Sequence, residues 1–137
     1  MTIEVLGLLH TGFRVGPTDA DVAKAHAFYG DLLGLQTDEK RPEIRGIPGF
    51  WSNVRPGDRS QQLHIMGAEG ASPVARSDKQ DPTRTHVAFA VADLDAARAE
   101  LEQRQIEFWE YKSLVGTASD QIFFEDPFGN MIELQQG

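Results

Sequence analysis

Cysteine is absent from all 137 residues, which removes disulfides, thiolate nucleophiles and thiolate zinc sites together. Any metal held by this chain must be bound through nitrogen and oxygen, so the search narrows to His, Asp and Glu. Histidine is itself scarce: His10, His26, His64 and His86 are the four. Long apolar runs are missing too. Nothing approaches the roughly 20 residues needed to cross a bilayer. The start, Met1-Thr2-Ile3-Glu4, lacks a basic region and a cleavage site. The expectation is a soluble cytoplasmic protein that is not exported. Basic residues are outnumbered, 13 Lys and Arg against 21 Asp and Glu, for a formal net charge of -8. That balance repels a phosphate backbone, so neither nucleic acid nor an anionic membrane is expected as a partner, and the excess reads as a well-solvated surface.

What is present is globular in composition, 40% hydrophobic and 25% charged, which argues against disorder or a fibrous repeat. The length suits one domain, 1–137, whose folding buries roughly two-thirds of the unfolded chain's surface. No metal is needed merely to hold it together.

An internal repeat appears when the segments around His10 and His86 are laid side by side. His10-Thr11-Gly12-Phe13-Arg14-Val15 and His86-Val87-Ala88-Phe89-Ala90-Val91 are both His-x-x-Phe-x-Val. A helical stretch follows each. Thr18 to Asp21 has a capping-box pattern, with Val22, Ala25, Tyr29, Leu32 and Leu33 on one face before Gly34. The second helix begins near Asp93, carries Leu94, Ala97 and Leu101 on one stripe, and has run out by Gln105. Strands are expected at 50–54 and 61–66, more weakly within 35–43, and at 106–112, 121–125 and 130–135. Asp126-Pro127-Phe128-Gly129-Asn130 is a turn signal that makes the last two a hairpin. The stretch from Gly67 to Arg84, rich in Gly, Ala, Ser, Pro and charge, reads as a linker. The expectation is an α+β fold of two tandem βαβββ modules, 1–68 and 85–137, joined by a linker at 69–84.

Side chains on a strand alternate faces. His10 lies with Leu8, Gly12 and Arg14, opposite Leu9, Thr11, Phe13 and Val15; His86 lies with Ala88 and Ala90, opposite Val87, Phe89 and Val91. The bulky face suits packing under a helix, and the histidine face, built from small residues, leaves space. The closing strands repeat the logic. His64 lies with Gln62 and Met66, and Glu133 with Met131 and Gln135, each opposite aliphatics. If the two sheets curve to meet, His10, His64, His86 and Glu133 converge on one cavity. Imidazoles plus a carboxylate suit Zn, Ni, Co, Mn or Fe(II). Glu133 on an otherwise apolar strand stands out, because a carboxylate is seldom buried unless paired or on a metal. His26, within a helix, reads as structural or solvent-facing.

Three segments carry a resemblance: Phe28-Tyr29-Gly30-Asp31-Leu32-Leu33-Gly34-Leu35, Thr85 to Leu94, and Asp126-Pro127-Phe128-Gly129-Asn130-Met131-Ile132-Glu133-Leu134. Together they make the chain similar to the vicinal oxygen chelate superfamily, the glyoxalase/bleomycin-resistance/extradiol-dioxygenase family. The resemblance implies paired βαβββ modules forming an incomplete barrel around a divalent metal, with His10, His64, His86 and Glu133 at the metal positions. It also implies a homodimer and a small-molecule substrate. His64 stands where lactoylglutathione lyases carry a proton-moving glutamate and some epimerases a glutamine, a departure from strict glyoxalase I. The implied activity is a metal-dependent lyase or isomerase in which Glu133 and His64 are the candidate catalytic groups. Arg14 is a candidate anion contact or else a rim salt bridge. Trp51 and Phe124 are candidate pocket-lining aromatics or else core. The alternatives are an extradiol-type Fe(II) dioxygenase and a non-catalytic drug-binding protein, which typically lacks the metal ligands retained here.

Overall fold

The computed structural model describes residues 2–112 and 120–137. Its strands are β1 (Val5–Val15), β2 (Gln36–Thr37), β3 (Gly49–Arg55), β4 (Asp58–Gly67), β5 (His86–Val91), β6 (Phe108–Tyr111), β7 (Gln121–Glu125) and β8 (Met131–Gln136). Helix α1 spans Asp19–His26 and α2 spans Leu94–Gln103. They hydrogen-bond in the order β2-β3-β4-β1-β5-β8-β7-β6, an open mixed sheet rather than a closed one. No helix among the described residues is long and apolar enough to cross a membrane.

Two compact units divide the chain. A C-terminal unit combines Met1–Leu9 with His86–Gly137, and a central unit spans His10–Thr85. The division falls within β1, so the first residues pack with the last: Ala92 N–H donates to Glu4 C=O at 3.0 Å. Within each unit a β-α-β-β-β run closes by parallel pairing of its first and last strands, β1 with β4 and β5 with β8.

In the C-terminal unit, Asp93 caps α2 by accepting from the Ala96 amide at 3.0 Å. The helix buries Leu94, Ala97 and Leu101 against Val91, Ile122 and Leu134. Arg98 grips Glu110 of β6 with Nε at 3.0 Å and Nη2 at 2.7 Å, tying the helix to its sheet. The β7–β8 hairpin turns where expected. Asp126 accepts from the Phe128 and Asn130 amides at 2.8 and 2.9 Å, and Gly129 takes φ 86°, which a side chain would disfavour.

In the central unit, α1 opens with the expected capping box between Thr18 and Asp21 and buries Ala25 against Phe50 and Ile65. The helical face does not continue as the spacing suggests. From Ala27 to Leu32 the helix widens into a π turn, whose longer period carries later residues off the stripe. Leu32 and Leu33 are therefore 69% and 53% exposed instead of buried. Gly34, in left-handed backbone at φ 71°, ends the turn as expected.

The stretch read as a linker is tied down rather than loose. Asp81, 1% exposed, accepts from the Ser72 amide at 2.7 Å and from the Thr83 hydroxyl at 2.7 Å. It also pairs with Arg14 of β1 at 3.0 Å. Burial pushes its carboxyl upward, but the hydrogen bonds from Ser72 and Thr83 outweigh that and hold it below the ordinary aspartate value. A depressed folded-state value means stability present above the unfolded pKa of about 3.9 and lost as pH falls through the lower folded value. Asp81→Asn is therefore expected to lower unfolding free energy near neutral pH by about 2–4 kcal/mol, because it strips Arg14 and the loop of a buried ionised partner. Urea unfolding at pH 7 and pH 3 checks this, the difference from the parent protein shrinking at the lower pH.

Candidate functional site

The C-terminal unit brings His86 and Glu133 together. On the parallel β5–β8 pair, Ala88 stands opposite Glu133 and His86 opposite Met131, so imidazole and carboxylate share a face one pleat apart. Ala88 and Ala90 on that face leave room. His86 Nε2 lies 3.1 Å from Glu133 Oε1, both side chains nearly sealed from solvent. The other carboxylate oxygen, Oε2, accepts from Gln121 Nε2 at 3.1 Å and from Gln135 Nε2. Two amide donors thus occupy Oε2 and leave Oε1 turned toward the imidazole. The surroundings are apolar: Trp109, Phe123 and Met131 form a buried cluster with Tyr111 beside it, and the rings of Phe123 and His86 meet in a T-shaped contact at 5.8 Å. Two of the three buried side-chain atoms without a partner among the described residues lie here, Gln121 Oε1 as an acceptor and Trp109 Nε1 as a donor, groups that a polar ligand would satisfy.

In the central unit, His10 of β1 is buried. His64 of β4 lies opposite Trp51 of β3 and Gly12 of β1. Its ring stacks on His10 at 3.7 Å and on Trp51 at 4.2 Å, nearly parallel to both. Trp51 is therefore a wall of the His64 position. Asp38, following β2, is buried and paired with Arg59 at 2.7 Å. Burial pushes its carboxyl up, but the Arg59 guanidinium and the Lys40 amide bring it below its ordinary value.

The candidate ligands are thus a buried imidazole–carboxylate pair, His86 and Glu133, in one unit and a stacked imidazole pair, His10 and His64, in the other. Imidazole and carboxylate donors suit a borderline divalent ion, and a carboxylate this enclosed needs hydrogen-bond donors or a cation around it.

Other sequence candidates sit elsewhere. Of the two readings of Arg14, the structure contains the salt bridge: Nη2 donates to Asp81, Thr83 Oγ1 and the Gly70 carbonyl at 3.0, 2.7 and 2.7 Å. Phe124 packs with the α2 core, opposite Ile132, and not on the Glu133 face. The aromatic on that face is Phe123, which pairs with Glu133. Along β7, Gln121, Phe123 and Glu125 share one parity and Ile122 and Phe124 the other, and register with β8 sets the first of these on the Glu133 face. That register was the signal for Gln121 and Phe123: carrying the parity of Glu133 across the Asp126–Asn130 turn finds both. His26 is structural, bonding Thr37 Oγ1 at 2.8 Å and meeting Phe50 edge-on at 5.0 Å.

The family described as Glyoxalase/Bleomycin resistance protein/Dioxygenase superfamily matches residues 7–134. A curated relative, "Glyoxylase I 4" of Arabidopsis thaliana, is 27% identical over 78% of this chain, which spans only 59% of that protein. Mitochondrial methylmalonyl-CoA epimerase of Bos taurus is 26% identical, covering 85% of this chain and 68% of the relative. Among solved structures, methylmalonyl-CoA epimerase from Mycobacterium tuberculosis superposes with a TM-score of 0.70 at 26% identity, covering 99% of this chain and 91% of that one. Homoprotocatechuate 2,3-dioxygenase from Brevibacterium fuscum shares the fold at a TM-score of 0.66 and 19% identity, with 98% of this chain on 37% of that one.

Two substitutions separate the faces. Phe124→Ala is expected to lower stability by about 2–4 kcal/mol through a core cavity while leaving the metal content of the folded protein unchanged. Gln121→Ala, which removes a donor from Glu133, is expected to weaken metal binding by about 10–100-fold. Urea unfolding and a competitive metal titration on both variants read the two effects.

Proposed function

Because the chain belongs to the Glyoxalase/Bleomycin resistance protein/Dioxygenase superfamily, we propose that it is a metal-dependent lyase or isomerase that moves a proton at carbon next to a carbonyl. The observation that carries this reading is the buried His86–Glu133 pair, 3.1 Å apart, with Gln121 and Gln135 fixing the carboxylate. In this reading His10, His86 and Glu133 hold the ion, with His64 beside them as a fourth ligand or as the group that moves the proton. When bound, a divalent ion supplies Lewis-acid stabilisation of negative charge developing on the substrate oxygen.

The residues of the chain do the rest. The amides of Gln121 and Gln135 hold Glu133 in one rotamer, and the hydrophobic cluster of Trp109, Phe123 and Met131 keeps water from that face of the C-terminal unit. Trp51 holds the His64 ring in one plane by stacking. The similarity to epimerases and to a glyoxylase favours substrates whose exchangeable proton sits on the carbon next to a thioester carbonyl or on a hemithioacetal carbon next to a ketone or aldehyde carbonyl. The family resemblance further suggests a homodimer, which sedimentation tests directly.

Elemental analysis of protein purified without chelators or affinity-column metal is expected to find about one divalent ion per chain, lost in His86→Ala and Glu133→Ala. No transition metal, together with no thermal shift on adding Ni, Zn, Mn or Fe(II), would overturn the reading. For the chemistry, anaerobic exchange of the substrate α-proton with deuterated solvent is expected for methylmalonyl-CoA or a hemithioacetal, and to fall about 100-fold or more in His64→Ala. Substrate-dependent oxygen uptake would instead identify a dioxygenase, and tight drug binding without turnover a binding protein.

A further inference from the structure

Gln62 is buried on β4, two residues before His64, and its side chain decides which ring nitrogen of that histidine carries a hydrogen. Amide oxygen and nitrogen are ordinarily assigned by the surrounding network, and here the network is anchored at both ends. A backbone N–H can only donate, and that of Gly57 donates to Gln36 Oε1 at 2.6 Å. The same oxygen accepts from Asn53 Nδ2 at 3.2 Å. Asn53 therefore presents its oxygen to Gln62, which donates to it through Nε2 at 2.8 Å. From the other end, the Asp38 carboxylate can only accept, and Gln62 Nε2 donates to its Oδ2, also at 2.8 Å. Arg59 and the Lys40 amide hold that carboxylate in place. Both ends demand the same orientation. Gln62 Oε1 is left as an acceptor, and His64 Nε2 lies 3.0 Å from it, so Nε2 must be the donor.

We propose that Gln62 is a positioning residue that fixes neutral His64 as its Nε2–H tautomer, so that His64 meets a ligand or a proton through Nδ1. The stack between His10 and Trp51 supports this by setting the plane of the ring, while Gln62 sets its rotation within that plane. The role extends the reading of His64 as a working residue and rests on it for its functional meaning. The hydrogen bonds that carry it all lie within the central unit. It also explains why a network of Gln36, Asp38, Asn53, Arg59 and Gln62 stands behind one strand histidine.

The test is the two-bond proton–nitrogen correlation spectrum of the imidazoles in nitrogen-15-labelled, metal-stripped protein, with His64 assigned by the signals lost in His64→Gln. The expected result is a pyrrole-type Nε2 and a pyridine-type Nδ1 for His64. In Gln62→Met the preference is expected to be lost, both nitrogens moving toward averaged values. A pyridine-type Nε2 in the parent protein, or an unchanged spectrum in a folded Gln62→Met variant, would overturn the proposal. If that variant does not fold, the parent spectrum alone decides. Protein that binds no metal but shows Nε2–H at His64 would sink the metal reading alone. Protein that binds metal with Nδ1–H in its stripped form would sink this proposal alone.

Discussion

Glu133 is 1% exposed, and a carboxylate cannot be taken out of water unless donors or a cation replace its hydration. Much of the C-terminal unit answers that one requirement. Gln121 is donated by β7, Gln135 by the same strand as Glu133, and His86 by the parallel neighbour β5. The opposite faces of these strands carry Ile122, Leu134 and Val91 beneath α2, and the helix cap, the Arg98–Glu110 grip and the Asp126 turn hold that sandwich in register. The polar face exists because the apolar face is secured.

The central unit solves a related problem with different residues. Its helix-facing side is again apolar, Phe50 and Ile65 against Ala25, while the other side carries His10, His64 and Trp51 stacked in order across three strands. Where the C-terminal unit ends in a glutamate, this unit ends in a histidine braced by amides. An imidazole can donate and accept, so its useful nitrogen must be chosen by its neighbours. The buried polar network supplies that choice, at the cost of placing an ionised Asp38 inside.

Much of this was legible in the chain. The repeat motif, the Thr18 and Asp93 caps, the Asp126–Asn130 hairpin and the shared face of His86 with Ala88 and Ala90 all follow from local pattern, and the fold agrees with them. The departures have physical causes. Leu32 and Leu33 left their stripe because a π turn changes the period, which residue spacing does not announce. Phe124 went to the helix side because along β7 it shares its parity with Ile122, while Gln121, Phe123 and Glu125 take the other face. Arg14 shares a face with His10 by parity, but its partners Thr83 and Asp81 lie 69 and 67 residues away, beyond the reach of any local window. Asp38 gave no signal, since a carboxylate in a turn looks like solvated surface until Arg59 and Gln62 are brought to it.

By itself the sequence determined the alternation of faces, the positions of the helices and the list of side chains able to do chemistry, because these depend on backbone periodicity and on residue type. Tertiary structure alone decided which of those side chains meet. Strand register put Phe123 and Gln121 beside Glu133, the 69–84 segment folded back to claim Arg14, and an amide network oriented the His64 ring. Such contacts join residues distant in the chain, and a hydrogen bond specifies donor and acceptor only when both are in place.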